Sequence, residues 1–147
     1  MILRANDPSA FALPGVLDIL HKAPISQNPT SQKAYIRRLT ILNRPEEAIF
    51  FAYGPSHRPS GVAIVRLPNA PIEHLPYWHV LYCPNAPKLR KELLAAGVKF
   101  IKDAGYNGFI AVNSTGHTDK AFERMCNIGT TKTIGTVLEF DLGRTNH

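Results

Sequence analysis

Tyr77-Trp-His-Val-Leu-Tyr-Cys83-Pro-Asn-Ala-Pro-Lys-Leu-Arg-Lys91, continuing through a long amphipathic run to Gly105 and closing on Gly108-Phe-Ile-Ala-Val112, is the stretch from which the fold is read. Its aromatic and β-branched opening predicts a strand, Tyr77 to Cys83, that Pro84 ends. Being apolar on both sides, that strand is expected at the centre of a sheet. Leu89, Leu93, Ala96, Gly97, Phe100, Ile101 and Ala104 then share one face of a helix. Lys88, Lys91, Glu92, Lys99, Lys102 and Asp103 lie largely opposite. Gly105 supplies a C-terminal stop. The strand at Gly108 to Val112 completes a strand-helix-strand unit, which implies a right-handed crossover to a parallel neighbour.

Upstream, Ile2 to Arg4 reads as a short strand, and Asp7-Pro8 starts a helix because Asp caps and Pro suits the first helical position. Phe11, Leu13, Val16, Leu17, Ile19 and Leu20 give that helix an apolar face, with Pro14-Gly15 placed to break or delay it. A second helix opens at Thr30 or Ser31, carries Ala34, Tyr35, Leu39 and Leu42, and stops at Asn43-Arg44-Pro45. Ala48 to Tyr53 and Gly61 to Leu67 are β-rich runs around a Gly/Pro/Ser turn and predict a hairpin. Downstream, a helix from Thr118-Asp119 buries Ala121, Phe122, Met125 and Cys126 and stops at Gly129. Thr133 to Leu142 forms the last strand. The order is β-α-α-β-β-β-α-β-α-β: a single α/β (α+β) domain over residues 1–147, a mixed central sheet flanked by helices.

The 147 residues, 44% hydrophobic, suffice for one core that needs no metal or disulfide staple. Cys83 and Cys126 show no CxxC spacing, the start of the chain shows no basic and apolar leader, and no apolar run approaches a membrane span. A soluble protein in a reducing cytoplasm is expected, with no membrane partner. Seventeen Lys and Arg against eleven Asp and Glu give a net charge of +6, which favours an anionic partner: a phosphorylated cofactor, an acidic protein or nucleic acid. The six histidines show no HxH or HExxH spacing, so no metal site is expected.

Two segments carry a family resemblance, Tyr77 to Val112 and Ala121-Phe-Glu-Arg-Met-Cys-Asn-Ile-Gly129-Thr130. Together with the element order they resemble the GCN5-related N-acetyltransferases, in particular short divergent members of the kind encoded by tailed phages. The resemblance implies acetyl-CoA as acyl donor and an amine of a small molecule or protein as acceptor. It also implies a CoA thioester held at the turn after the central strand.

Here the chain departs from the family pattern. The glycines that let backbone N–H groups approach the CoA pyrophosphate are absent from residues 84 to 91, and Pro84 and Pro87 remove two donors. Lys88, Arg90 and Lys91 can substitute by charge at the helix start. Tyr82, Cys83 and Leu89 line the same turn, and His117 and Thr118 are placed to contact the ligand from a later loop. The family's tyrosine acid falls at Met125, which has no proton to give, and Thr130 replaces a Phe.

Amine acetylation also needs a base and an oxyanion donor. His79 and Glu73 are the candidate bases, His79 the better suited because its unperturbed pKa lies near neutrality. A His79–Cys83 nucleophile pair is discounted, since four residues of strand separate them by roughly 13 Å. Two other functions stay open. One is a catalytically impaired protein of this fold that binds another protein. The other is a basic nucleic-acid binder using Tyr77, Trp78 and Tyr82 as stacking platforms beside Lys88 to Lys91.

Overall fold

The computed structural model describes residues 1–25, 29–41, 45–68 and 75–111. Five strands and three α-helices follow one another: β1 (Ile2–Arg4), α1 (Val16–Lys22), α2 (Pro29–Leu39), β2 (Glu47–Ala52), β3 (Gly61–Arg66), β4 (Tyr77–Tyr82), α3 (Pro87–Asp103) and β5 (Ile110–Ala111). The strands form one sheet in sequence order. β1 through β4 pair antiparallel, and β5 joins β4 in parallel through Tyr77↔Ile110 and Trp78↔Ala111. The parallel pair across α3 is the crossover expected from the sequence. The expected helix and strand after residue 112 lie outside the described residues.

Asp7 caps a short 3-10 helix, Pro8–Ala12, by accepting a 2.8 Å hydrogen bond from the Ser9 N–H. Gly15 then breaks the run. Its φ of +79° is a left-handed conformation open to glycine, and a Cβ there would press on Arg58 at 3.0 Å. The predicted continuous apolar face is therefore split. Phe11, Val16, Ile19 and Leu20 enter the core, whereas Leu13 and Leu17 stay on the surface because the helix restarts at a new phase.

α2 buries Ile36 and Leu39, the first of which the sequence reading did not select; Ala34 is exposed. Gln32 ties α2 to α1 by donating from Nε2 to the carbonyls of His21 (2.9 Å) and Ala23 (2.8 Å). These carbonyls lie at the C-terminal end of α1, where the helix's own ladder runs out.

The two helices cover one face of the sheet, meeting Ile49, Phe51, Val62, Ile64 and Val80. Strand alternation turns the intervening residues to the other face, where Phe50 meets Phe100 of α3 edge-on at 6.2 Å. β2 and β3, covered on both sides, are buried almost end to end, while β4 is only half-buried. The Tyr77 strand is interior to the sheet as expected, lying between β3 and β5, but it is less buried than β2 and β3. Its carboxyl end adjoins the turn into α3, and β5 pairs with its first two residues alone among the described ones. Ala104 is exposed beyond the end of α3, where Gly105, at φ +94°, stops the helix as expected.

Candidate active site

The turn from β4 into α3 is built by close approach. A Cβ on Gly61 would lie 2.7 Å from the Cys83 Cβ and 2.8 Å from the Tyr82 carbonyl oxygen, so glycine lets β3 pass beneath the turn. The Cys83 thiol is buried and free, 3.5 Å from the Ala86 carbonyl oxygen. Burial pushes its pKa up, against the opposing pull of the Arg90 guanidinium, so it is held as a thiol rather than a nucleophilic thiolate.

Ala86 stands at the N-cap of α3 and Pro87 at its first turn, with no side-chain cap and no acidic residue there. The Lys88 and Leu89 N–H groups lie outside the helix's own ladder, and the Arg90 N–H returns to the Ala86 carbonyl at 2.9 Å. Lys88 and Lys91 are exposed, Arg90 and Leu89 half-buried. Uncapped N–H groups at the positive end of a long helix, ringed by three cations, suit a phosphate oxygen.

Further back on β4 the register shifts. Val65 faces Trp78 while Ile64 faces Val80, which makes His79 the extra residue of a β-bulge. The Trp78 indole N–H donates to the Val80 carbonyl at 2.8 Å, bracing the bulge from within the strand. The bulge breaks the alternation that would have put His79 and Cys83 on one face.

His79 stacks on Tyr35 of α2, ring centroids 5.0 Å apart and planes 25° apart, and meets Tyr77 at 5.5 Å and 61°. Burial, then the positive charges of Arg66 and Arg38, hold its pKa below the ordinary histidine value. A neutral imidazole near neutral pH is the form a general base requires. Tyr35, Arg38 and Glu47, which complete this surrounding, were not singled out from the sequence as site residues. Tyr35 read there only as a helix-face residue.

Glu73, His117 and Thr118 lie outside the described residues, as does Met125. Of the aromatics considered for stacking on nucleic acid, Tyr77 and Tyr82 are half-buried and Trp78 is buried. Trp78 is 5% exposed and packed against α3, Tyr77 is engaged with His79, and Tyr82 leans on the core beneath α1. Among the described residues no group of histidine, cysteine and carboxylate side chains is gathered for a metal, and no helix is long and apolar enough to cross a membrane.

No protein-family model matches the sequence, and no curated protein matches it. Solved structures do match. The aminoglycoside 6'-N-acetyltransferase AAC(6')-IG from Acinetobacter haemolyticus is 15% identical with a TM-score of 0.63, covering 96% of this chain and 99% of that one. The glucosamine-6-phosphate N-acetyltransferase of Arabidopsis thaliana is 14% identical with a TM-score of 0.62, over 96% and 99%.

The chain has the GCN5-related N-acetyltransferase fold. A third structure of that fold, the aminoglycoside N-acetyltransferase AAC(6')-Iy, was crystallised with CoA; it is 15% identical with a TM-score of 0.62, covering 96% of this chain and 98% of that one. At these identities the likeness extends to the acetyltransferase fold and not to any one acceptor.

Proposed function

We propose that this protein is an N-acetyltransferase that takes its acyl group from acetyl-CoA and passes it to an amine. One observation carries the reading: a single strand, β4, bears a bulged histidine in its middle and leads at its end into an uncapped, cation-ringed helix start. In this reading the strand carries the base in its middle and the anion-binding turn at its carboxyl end.

In this reading Lys88, Arg90 and Lys91, with the Lys88 and Leu89 N–H groups, hold the pyrophosphate, while Tyr82 and Cys83 flank the turn. Acetyl-CoA supplies the activated acyl group. His79 takes the proton from the acceptor ammonium, leaving the amine nucleophilic. The carbon–nitrogen bond forms, the carbon–sulfur bond of the thioester breaks, and the departing CoA thiolate takes its proton from water. Backbone N–H released from the ladder at the bulge is available to stabilise the tetrahedral oxyanion. Glu73 is the reserve base, and His117 and Thr118 are assigned to the ligand side.

A second reading, a protein binder that keeps the fold without catalysis, is favoured by two features. Pro84 and Pro87 carry no N–H at the turn, and Met125 stands where the family has its acid. Isothermal titration with CoA and acetyl-CoA, followed by an acetylation assay on an amine panel, separates the two. Binding with turnover supports the transferase, binding without turnover the binder. No binding at millimolar ligand removes the cofactor assignment.

A further inference from the structure

The imidazole of His79 does not sit on its strand unaided. Its plane lies against the ring of Tyr35, which comes from α2, and its edge meets Tyr77 of its own strand. Tyr35 is anchored in turn, because its hydroxyl donates to Oε2 of Glu47 on β2 at 3.0 Å. Glu47 pairs in register with Arg66, and Arg66 with Tyr77, so one row of cross-strand partners runs under the helix from the anchor to the histidine. Arg38, one turn along α2, places its guanidinium 4.9 Å from the centre of the Tyr35 ring.

We propose that Tyr35 and Glu47 are positioning residues for His79: the Tyr35–Glu47 hydrogen bond holds the Tyr35 ring against the imidazole and thereby fixes its plane and its exposure. The catalytic importance of this clamp rests on His79 being the base; its existence does not.

Three features make the clamp more than incidental packing. A residue at a bulge lacks the ladder bonds that orient its neighbours, so its side chain must be held by something else. Stacked rings contribute only about 0.5–1.5 kcal/mol beyond burial, so a ring on a separate helix needs its own tether to stay in place. Burial first, and the Glu47 carboxylate second, push the Tyr35 pKa far above its ordinary value, so the hydroxyl remains a proton donor to Glu47 throughout the neutral range. The charged and titratable groups facing the histidine come from every element around it: Tyr35 and Arg38 from α2, Glu47 from β2, Arg66 from β3 and Tyr77 from β4.

The test is histidine-selective NMR on the full chain, which needs no substrate. The His79 signal is identified by its loss in His79→Gln. In the wild type the carbon-bound imidazole protons should show the upfield displacement of nuclei above an aromatic face. Tyr35→Phe and Glu47→Ala each cut the same hydrogen bond and keep the core ring. Both should reduce that displacement, the double variant no further than either single one. Tyr35→Phe, which changes no charge beside the imidazole, should also move the His79 titration midpoint upward. Tyr35→Leu, which keeps apolar volume, should abolish the displacement.

An unshifted His79 signal in the wild type, or no change in Tyr35→Phe and Glu47→Ala, overturns the proposal. If an acceptor is found, Tyr35→Phe should lower kcat about tenfold, a part of the ~10²–10⁴ that a general base supplies. The acid limb of the pH profile should move with the NMR midpoint and KM for acetyl-CoA should stay unchanged. A clamp seen by NMR without any matching kinetic effect would leave the positioning intact and remove His79 as base.

Discussion

The indole of Trp78 lies against the backbone of Gly97, so close that a methyl group on that glycine would stand 2.2 Å from the ring. A glycine in the middle of a 17-residue helix is a local weakness accepted for this contact, which seats α3 on β4. Gly97→Ala should therefore destabilise the protein. Overpacking costs about 1–3 kcal/mol, more than the ~1 kcal/mol that alanine gains over glycine in a helix. Urea unfolding should show a lower midpoint at unchanged slope. Trp78 is the protein's one tryptophan, so its fluorescence reports the transition from inside the contact.

Trp78→Phe shortens the ring that meets α3 and removes the N–H that the Val80 carbonyl accepts. Leaving a buried acceptor without its partner costs about 1–3 kcal/mol. Because that bond braces the bulge, amide exchange at residues 79 and 80 should quicken more than at β2 or β3. Hydrogen exchange resolved by mass spectrometry or NMR measures this.

Gln32→Ala strips the carbonyls of Leu20, His21 and Ala23, at the end of α1, of their side-chain donor. A loss of about 1–2 kcal/mol is expected, the usual range for a lost hydrogen bond with acceptors partly open to water. Gln32→Glu should be worse than alanine, since a carboxylate would face carbonyl oxygens. Thermal unfolding of the two variants ranks them.

His79 predicts a pH-dependent part of the stability. Its folded pKa lies below its unfolded value of about 6.5, so between the two the unfolded chain binds more protons. The contribution is fully present above pH about 6.5 and is lost as pH falls through the folded pKa. Urea midpoints from pH 7.5 down to 5 should decline less in His79→Gln than in the wild type. An identical decline in both would show that the histidine is not buried as described.

Lys88→Ala with Arg90→Ala should weaken the proposed CoA binding by about 100-fold or more, since hydrogen bonds to charged groups are worth about 1.5–3 kcal/mol each and about 1.4 kcal/mol is tenfold. Neither residue packs in the core, so the unfolding midpoint should barely move. Calorimetric titration at two salt concentrations checks both the loss and its electrostatic origin.

Local structure was legible in the residues alone. Asp7-Pro8 marked a capped helix start, Gly105 a left-handed stop, and the apolar period between Leu89 and Ile101 the helix α3. The β2–β3 hairpin and the parallel crossover to β5 followed from strand runs and turn chemistry, because caps, turns and periodicity depend on residues only a few positions apart. The tertiary structure decided the rest. That Leu13 and Leu17 face solvent depends on the phase at which α1 restarts after Gly15. The burial of β2 and β3 above that of β4 depends on which strands the helices happen to cover. The bulge at His79 depends on a register between β3 and β4. The Tyr35–Glu47 tether joins residues of a helix and a strand whose chemistry gives no sign of the histidine between them. The opening stretch could be read as strand, turn and helix from its own residues. Its histidine acquires a defined surrounding only when α2 and three strands, separated along the chain, are packed around it.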